Sequence, residues 1–232
     1  MIFSLVIPCY NEAANLPVLL ERCKGLAVRP DVEVILVDNG STDSTAEVLR
    51  NLLPKYPWCR SIRIDKNQGY GFGIVTGLRA AEGQILGWTH ADMQTDPQDA
   101  LRGLDLFEKH GDNIFVKGRR YGRPLMDVVF TVGMSIFETL LLAKPMWDIN
   151  AQPTIFPRKF FYAWISPPDD FSLDLYAYYQ ARIIGLKVYR IPVKFGERAN
   201  GVSHWNVNWA AKCKFIRRTF DFSIRIKKKI AK

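Results

Sequence analysis

"LGWTHADMQTDP", residues 86–97, passes from an apolar run to a run rich in polar side chains. It opens in the apolar run Ile85, Leu86, Gly87, Trp88, which is short and reads as a strand buried on both faces. It then delivers His90, Asp92, Gln94 and Asp96, and Pro97 enters the first turn of a helical pattern, "TDPQDALRGL". A buried strand that ends in polar groups and feeds an amphipathic helix is one unit of a parallel α/β sheet. The polar end of such a unit lies where those sheets collect ligands.

The same unit recurs on both sides of this stretch. Strands are expected at Phe3 to Pro8, Glu33 to Val37, Ser61 to Ile64, Ile85 to Thr89 and Ile114 to Lys117, with a helix after each of the first four. Each expected strand is followed by an unusual polar cluster: "PCYNE", "DNGSTD", "KNQGYGFG", "HADMQTD" and "GRRYGR". One cluster is ordinary turn chemistry, but five in succession at the carboxyl ends of strands point to one shared site. Beyond Arg123 come an apolar helix at Val128 to Ala143, then "DINAQPTIFPRKFF", a helix from about Phe171 to Ile184, a strand "KVYRIPVKF" and a polar loop "GERANGVSH".

A chain of 232 residues buries a large core without staples, and Cys9, Cys23, Cys59 and Cys213 are too widely spaced for a metal-type pair. They read as reduced thiols in a cytosolic protein. "MIFSLVIPCYNE" lacks a basic leader and reads as a first strand, not as a signal peptide. The segment from Val128 to Ala143 is shorter than the about 20 residues of a membrane span and carries Glu138. The net charge of +9 is concentrated: residues 212–232 hold nine basic side chains against Asp221, so the body is close to neutral.

"LVIPCYNEAANL", "ILVDNGSTDST", "KNQGYGFG" and "HADMQTDP", in this order and spacing, resemble the family 2 glycosyltransferases of GT-A fold. The later motifs "KGRRYGR" and "GERANGVSHW" are similar to those of the polyprenyl-phosphate sugar transferases related to dolichol-phosphate mannose synthase. The resemblance runs from about Phe3 to about Trp205, and the order of the motifs is more specific than any single one. It implies a Rossmann-like GT-A domain over residues 1–205, a mostly parallel sheet flanked by helices, followed by an amphipathic basic C-terminal helix over residues 206–232. The implied activity is inverting transfer of a sugar from a UDP- or GDP-sugar to a polyprenyl phosphate, with Mg2+ or Mn2+.

By that resemblance Pro8, Tyr10 and Glu12 hold base and ribose. Val37, Asp38 and Asn39 contact the base, with Asn39 standing where many relatives have a second acid. Lys66, His90 and Ala91 complete the nucleotide-sugar side. Asp92 and Gln94 supply hard oxygen ligands to the metal, which neutralises the leaving diphosphate. His90 stands where relatives often carry an aspartate, and three roles are open to it: ligand to Mn2+, hydrogen-bond partner of sugar or phosphate, or filler of space. The segment Ser41 to Asp43 reads as helix caps, and the alternative to a site at "YNE" is a strand end with Asn11 capping the next helix.

On the acceptor side the resemblance assigns Arg120 to phosphate, for which a planar guanidinium is suited. Lys117, Arg119 and Arg123 read as a solvated basic loop. Arg198 clamps donor diphosphate or acceptor phosphate and orders its loop as a lid, with Ser203 beside it and His204 in place of a lysine. "DFSLDLYAYY" aligns with the segment in which inverting relatives place a base, so Asp169, Asp170 or Asp174 is required if the acceptor is a hydroxyl. A phosphate is already an anion and needs none. The catalytic set taken is Asp92, Arg120 and Asp174. The competing structural role for Asp174 is to face solvent or to pair with Lys159 or Arg182.

On a helix over residues 209–226, Trp209, Cys213, Phe215, Ile216, Phe220, Phe222, Ile224 and Ile226 fall within an arc of roughly 200°. Lys214, Arg217, Arg218, Asp221 and Arg225 take the other side. With "RIKKK" beyond, this suits an anionic membrane surface ahead of core packing, and no recognition motif supports a nucleic-acid partner. The expected placement is cytoplasmic, peripheral at the membrane face. Two other functions remain open: transfer to a hydroxyl of a glycan or lipid-linked glycan, and a nucleotide-sugar-binding or membrane scaffold without chemistry, suggested by Asn39, His90 and His204.

Overall fold

The computed structural model describes residues 2–198 and the helix at 209–230, the latter with its side chains over 217–227. Strand and helix alternate as β1 (Phe3–Cys9), α1 (Leu16–Cys23), β2 (Val32–Asn39), α2 (Thr45–Leu52), β3 (Cys59–Ile64), α3 (Tyr70–Ala80), β4 (Ile85–Trp88) and α4 (Asp99–His110). They continue as β5 (Ile114–Tyr121), α5 (Leu125–Leu142), β6 (Thr154–Pro157), α6 (Arg158–Tyr162), α7 (Leu173–Ile183), β7 (Lys187–Lys194) and α8 (Trp209–Ile230). One sheet runs in the order β3-β2-β1-β4-β6-β5-β7. Only β6 is antiparallel, wedged between β4 and β5. The carboxyl ends of the other six strands therefore share one edge.

Both faces of the sheet are covered, as a parallel sheet requires. The two-residue period of β1 sends Val6 into the layer formed with α3 and α7, and Leu5 and Ile7 into the layer formed with α1 and α4. All five expected strands appear, four of them longer than expected. α4 begins at Asp99, so Pro97 lies in the turn before it, and Asp96 closes that turn by accepting the Gln98 N–H at 2.9 Å. β6 is the element that sequence reading lacks: "TIFP" is four residues bracketed by Pro153 and Pro157, and prolines within a run argue against a strand. Leu86 pairs with Phe156 and Gly87 with Ile155, which ties the two parallel halves together.

α5 is built inside out. Leu125, Val129, Ile136 and Leu140 fall within about 60° of one another on the helix and are 53–77% exposed, while Ser135 and Glu138 point inward and are buried. The helix is 18 residues long and, among the described residues, alone has the length and composition to cross a membrane. α8 packs along its inner side, where Phe220 stacks on Phe137 and the Ser223 hydroxyl donates to Glu138 Oε1 at 2.7 Å. Ser223 and Ile226 are buried and Arg217, Asp221 and Arg225 are exposed, so the described part of α8 has the expected two faces.

Candidate active site

The carboxyl edge of the sheet gathers most of the polar clusters. After β1, Asn11 takes a left-handed backbone (φ 56°) and its carbonyl accepts the Thr42 N–H at 2.8 Å, while Ser41 Oγ and Thr45 Oγ1 accept the N–H groups of Asn11 and Glu12. Asn11, Ser41 and Thr45 thus lace two loops together. The capping role read for Asn11 and Ser41 is corrected accordingly; of that segment only Asp43 caps, accepting the Thr45 N–H at 2.9 Å. Pro8 and Glu12 are half-buried and Tyr10 is exposed at the rim.

β2 ends in Asp38 and Asn39, both buried. Asp38 receives Arg63 Nη1 at 2.5 Å and the Ser41 N–H at 3.0 Å. Asn39 donates to Gly69 O at 2.8 Å, and its own carbonyl oxygen is buried with no hydrogen-bond partner among the described residues. Val37 is corrected as a side-chain contact, because it is wholly inside the core beneath the edge. Lys66 is exposed in the loop after β3.

After β4, Met93 takes φ 60° and turns the chain so that Asp92 Oδ1 accepts the Gln94 N–H at 3.2 Å. The other carboxylate oxygen, Oδ2, lies 3.1 Å from Arg198 Nη2. Burial pushes the Glu12 carboxyl up, helped by nearby Asp92 and opposed by its bond from Asn15 and by Arg198, so Glu12, Asp92 and Arg198 share one field. Gln94 uses its amide nitrogen toward Gly196 O at 3.3 Å, which leaves its amide oxygen as the donor atom for a cation. No cluster of three His, Cys, Asp or Glu occurs among the described residues. The chemistry fits a metal of the Mg2+ or Mn2+ kind, which takes one or two protein oxygens and fills its shell with phosphate oxygens and water. Ala91 is buried, and the His90 ring stacks on Tyr70 at 5.5 Å between centroids.

At the far side of the edge three guanidinium groups surround one carboxylate. Arg120 Nε and Nη2 reach Asp148 Oδ1 at 2.9 and 2.5 Å, and Arg190 Nη2 lies 3.8 Å from Asp148 Oδ2. Arg120 and Arg123 both lie over the Phe195 ring. The Nε groups of Arg123 and Arg190 are buried without hydrogen-bond partners among the described residues. Burial holds the pKa of both below the ordinary arginine value. Arg120 lies in the wall of a cleft whose apolar lining is Phe130, Met134, Ile149, Phe171 and Leu175, between α5, α7 and α8. With Asp127 also near Arg123, three cations stand against two acids, which leaves one positive charge in excess beside an apolar wall.

A family model described as Glycosyl transferase family 2 matches residues 4–150. The chain belongs to that family. The undecaprenyl-phosphate 4-deoxy-4-formamido-L-arabinose transferase of Pseudomonas fluorescens is 36% identical over 166 residues, covering 64% of this chain and 48% of that protein. The dolichol-phosphate mannosyltransferase of Pyrococcus furiosus is 32% identical over 118 residues, covering 51% and 33%. The chain thus spans about a third to a half of the length of the curated relatives it matches. Among solved structures, a mannosyltransferase from Pyrobaculum calidifontis in complex with GDP-Man and Mn2+ has a TM-score of 0.72 at 21% identity, covering 96% of this chain and 64% of that one. A glucosyl-3-phosphoglycerate synthase from Mycobacterium tuberculosis with Mn2+ and UDP has a TM-score of 0.72 at 17% identity, covering 97% and 78%. At those identities the two structures establish the GT-A fold.

Two acceptor-side readings change. Asp174 is 2% exposed; Lys117 Nζ lies 3.2 Å away and Gln152 Nε2 donates to it at 2.6 Å. A carboxylate so enclosed and paired is corrected as the catalytic base, and its partner is neither Lys159 nor Arg182. Lys117, read as part of a solvated loop, is wholly buried on β5, where desolvation pulls its ammonium down to about 8 against the pull of Asp174. Asp170 pairs with Arg218 at 3.3 Å and accepts the Ser172 N–H, and Asp169 is exposed. Ser203, His204 and the proposed domain boundary at 205/206 lie outside the described residues. Sequence reading lacks Asp148, Gln152, Arg190 and Phe195, which belong to no quoted motif role. It quotes Tyr70 and Phe171 without giving either a task.

Proposed function

We propose that this chain transfers a sugar, with inversion, from a nucleoside diphosphate sugar to a polyprenyl phosphate at a membrane surface. The observation that carries this reading is the cleft wall at Arg120: surplus guanidinium charge, an apolar lining and, next to it, α5 with its leucine and valine face turned outward. A phosphate on a long hydrocarbon chain combines the two chemistries that this wall and this helix present. Asp92 and Gln94 would hold a divalent metal, which when bound neutralises the leaving diphosphate. Arg198 aims a second cation at the same place. Glu12, Asp38 and the unpartnered carbonyl of Asn39 would read ribose and base from the β1 and β2 ends, with Lys66 at the rim and His90 on the sugar side. Arg120, with Arg123 and Arg190 behind it, would seat the acceptor phosphate. Because that acceptor is already anionic, no base is needed, in keeping with the enclosure of Asp174. The relatives named above carry polyprenyl-phosphate names, which supports the same acceptor class.

The test is a panel of UDP- and GDP-sugars with Mn2+, offered with undecaprenyl phosphate in anionic vesicles or with a soluble glycan hydroxyl acceptor. Transfer to the phosphate and co-sedimentation with the vesicles are expected. Transfer to the hydroxyl alone, or no vesicle binding with and without anionic lipid, would overturn the reading.

A further inference from the structure

The motif "KNQGYGFG" leaves its aromatic residue without a task, and that residue lies at the centre of a column. Tyr70 stacks on His90 on one side (5.5 Å, 22° between planes) and on Phe171 on the other (4.5 Å, 11°). Arg218 of α8 covers the outer side of Phe171 at 5.5 Å and is anchored to Asp170 next to it. Four side chains, from the loop after β4, from α3, from the turn before α7 and from α8, therefore run from the donor loop to the terminal helix. Phe171 also lines the cleft that contains Arg120, so the column crosses from one candidate subsite to the other.

We infer that Tyr70 and Phe171 are positioning residues that fix the orientation of the His90 imidazole, and that Arg218 closes the far end of the same column. Among the described residues no hydrogen bond or ion pair holds the His90 ring, so stacking is what orients it. The two imidazole nitrogens differ in what they donate and accept, so ring orientation decides which one faces a substrate. Tyr70 is itself held on all sides. Gly69, at φ +108°, and Gly71 bring the start of α3 so close to residues 168–170 that a Cβ on either would lie 2.3 Å from a carbonyl oxygen, of Asp169 or Pro168. The Phe72 N–H seals the contact by donating to Asp169 O at 3.0 Å. Burial, and next the Asp174 carboxylate, keep the Tyr70 phenol well above its ordinary pKa and hence neutral. A neutral ring clamped at its backbone is a fixed platform for a neighbour.

This inference rests on His90 being a donor-side residue, and the experiment separates the two ideas. The chain holds three histidines, so labelling the full chain at histidine and assigning by His90→Gln isolates the His90 ring proton signal in an NMR spectrum. His110, stacked on Tyr189 elsewhere, is the internal control. Phe171→Leu, which leaves the Tyr70 ring beside His90, should shift the His90 signal while His110 stays, and Arg218→Ala should move it the same way by less; Tyr70→Leu shifts it through lost ring current alone and is read by turnover. Tyr70→Phe, which keeps the stack, should restore the signal and most of the turnover that Tyr70→Leu lowers by about tenfold through misplacement. An unmoved His90 signal in Phe171→Leu, with His110 also in place, would overturn the inference. UDP or GDP with the diamagnetic Mg2+ titrated into the unaltered chain should also move His90. If nucleotide leaves it still while Phe171→Leu moves it, the column stands and the donor-side reading of His90 falls.

Discussion

On the β1–β4 side of the sheet most polar residues at the carboxyl edge hold one another: Asn11 binds the loop at Thr42 and Asn39 binds Gly69, while Asp92 alone of these reaches across to Arg198 beyond β7. Nearly every partner there belongs to a motif that is itself visible as a polar cluster. On the β5–β7 side the partners come from elsewhere. Arg120 is met by Asp148 and Arg123 by Thr131, residues that stand in no cluster, and Lys117 finds Asp174 at a separation of 57 residues. The helices differ in the same sense, since α1 to α4 bury apolar faces and α5 exposes one. On the proposed function the difference has a cause: a site for a compact polar donor closes mostly on its own loops, whereas a site for a charged lipid needs both cations and an uncovered apolar surface.

The most buried pair on the β5–β7 side is Lys117 with Asp174. Lys117→Met removes the cation beside Asp174 and leaves a carboxylate stranded in the core, so urea denaturation should show a loss of about 3–5 kcal/mol. Lys117→Met with Asp174→Leu should recover most of that loss, because the cost lies in the unpaired charge and not in the absence of the pair. On the donor side the corresponding change acts on chemistry: Asp92→Ala should lower transfer by about 100- to 1,000-fold with the thermal melt in place. Retained turnover would remove the metal role from Asp92.

The smallest effect concerns how α5 meets α8. Burial pushes the Glu138 carboxyl up to about 7 from 4.5, with the bond from Ser223 pulling the other way. Between those two values the folded chain holds a proton that the unfolded chain has released. Stability therefore falls as pH rises through about 4.5 to 7 and is level above it. Glu138→Gln should raise the melting point at pH 8 and leave it unchanged at pH 4. The same difference between the two chains at both pH values would show that the folded state does not raise the Glu138 carboxyl.

The donor half is legible in the sequence because its signals are local. Strand periodicity places β1 to β5, and the clusters after them mark the edge. What the sequence hides is pairing over distance. Arg120 and Lys117 are three residues apart in one basic run, yet the strand's period and the position of Asp148 and Asp174 make one a half-buried wall residue of the cleft and the other a core residue. Asp174 looks like a base in the sequence because nothing local shows Gln152 and Lys117 closing over it. β6 is hidden because its prolines imitate a loop. Tyr70 is visible as a letter in a glycine-rich run, but its two stacking partners lie 20 and 101 residues away and come from different elements.

The division into a donor half and an acceptor half is tested most directly by two-substrate steady-state kinetics on Arg120→Ala, with undecaprenyl phosphate as acceptor and the nucleotide sugar that the panel selects as donor. The acceptor KM should rise by about 10- to 100-fold, the loss expected when a charged hydrogen bond to phosphate is removed, with the donor KM unchanged. A rise in donor KM at constant acceptor KM would contradict the division.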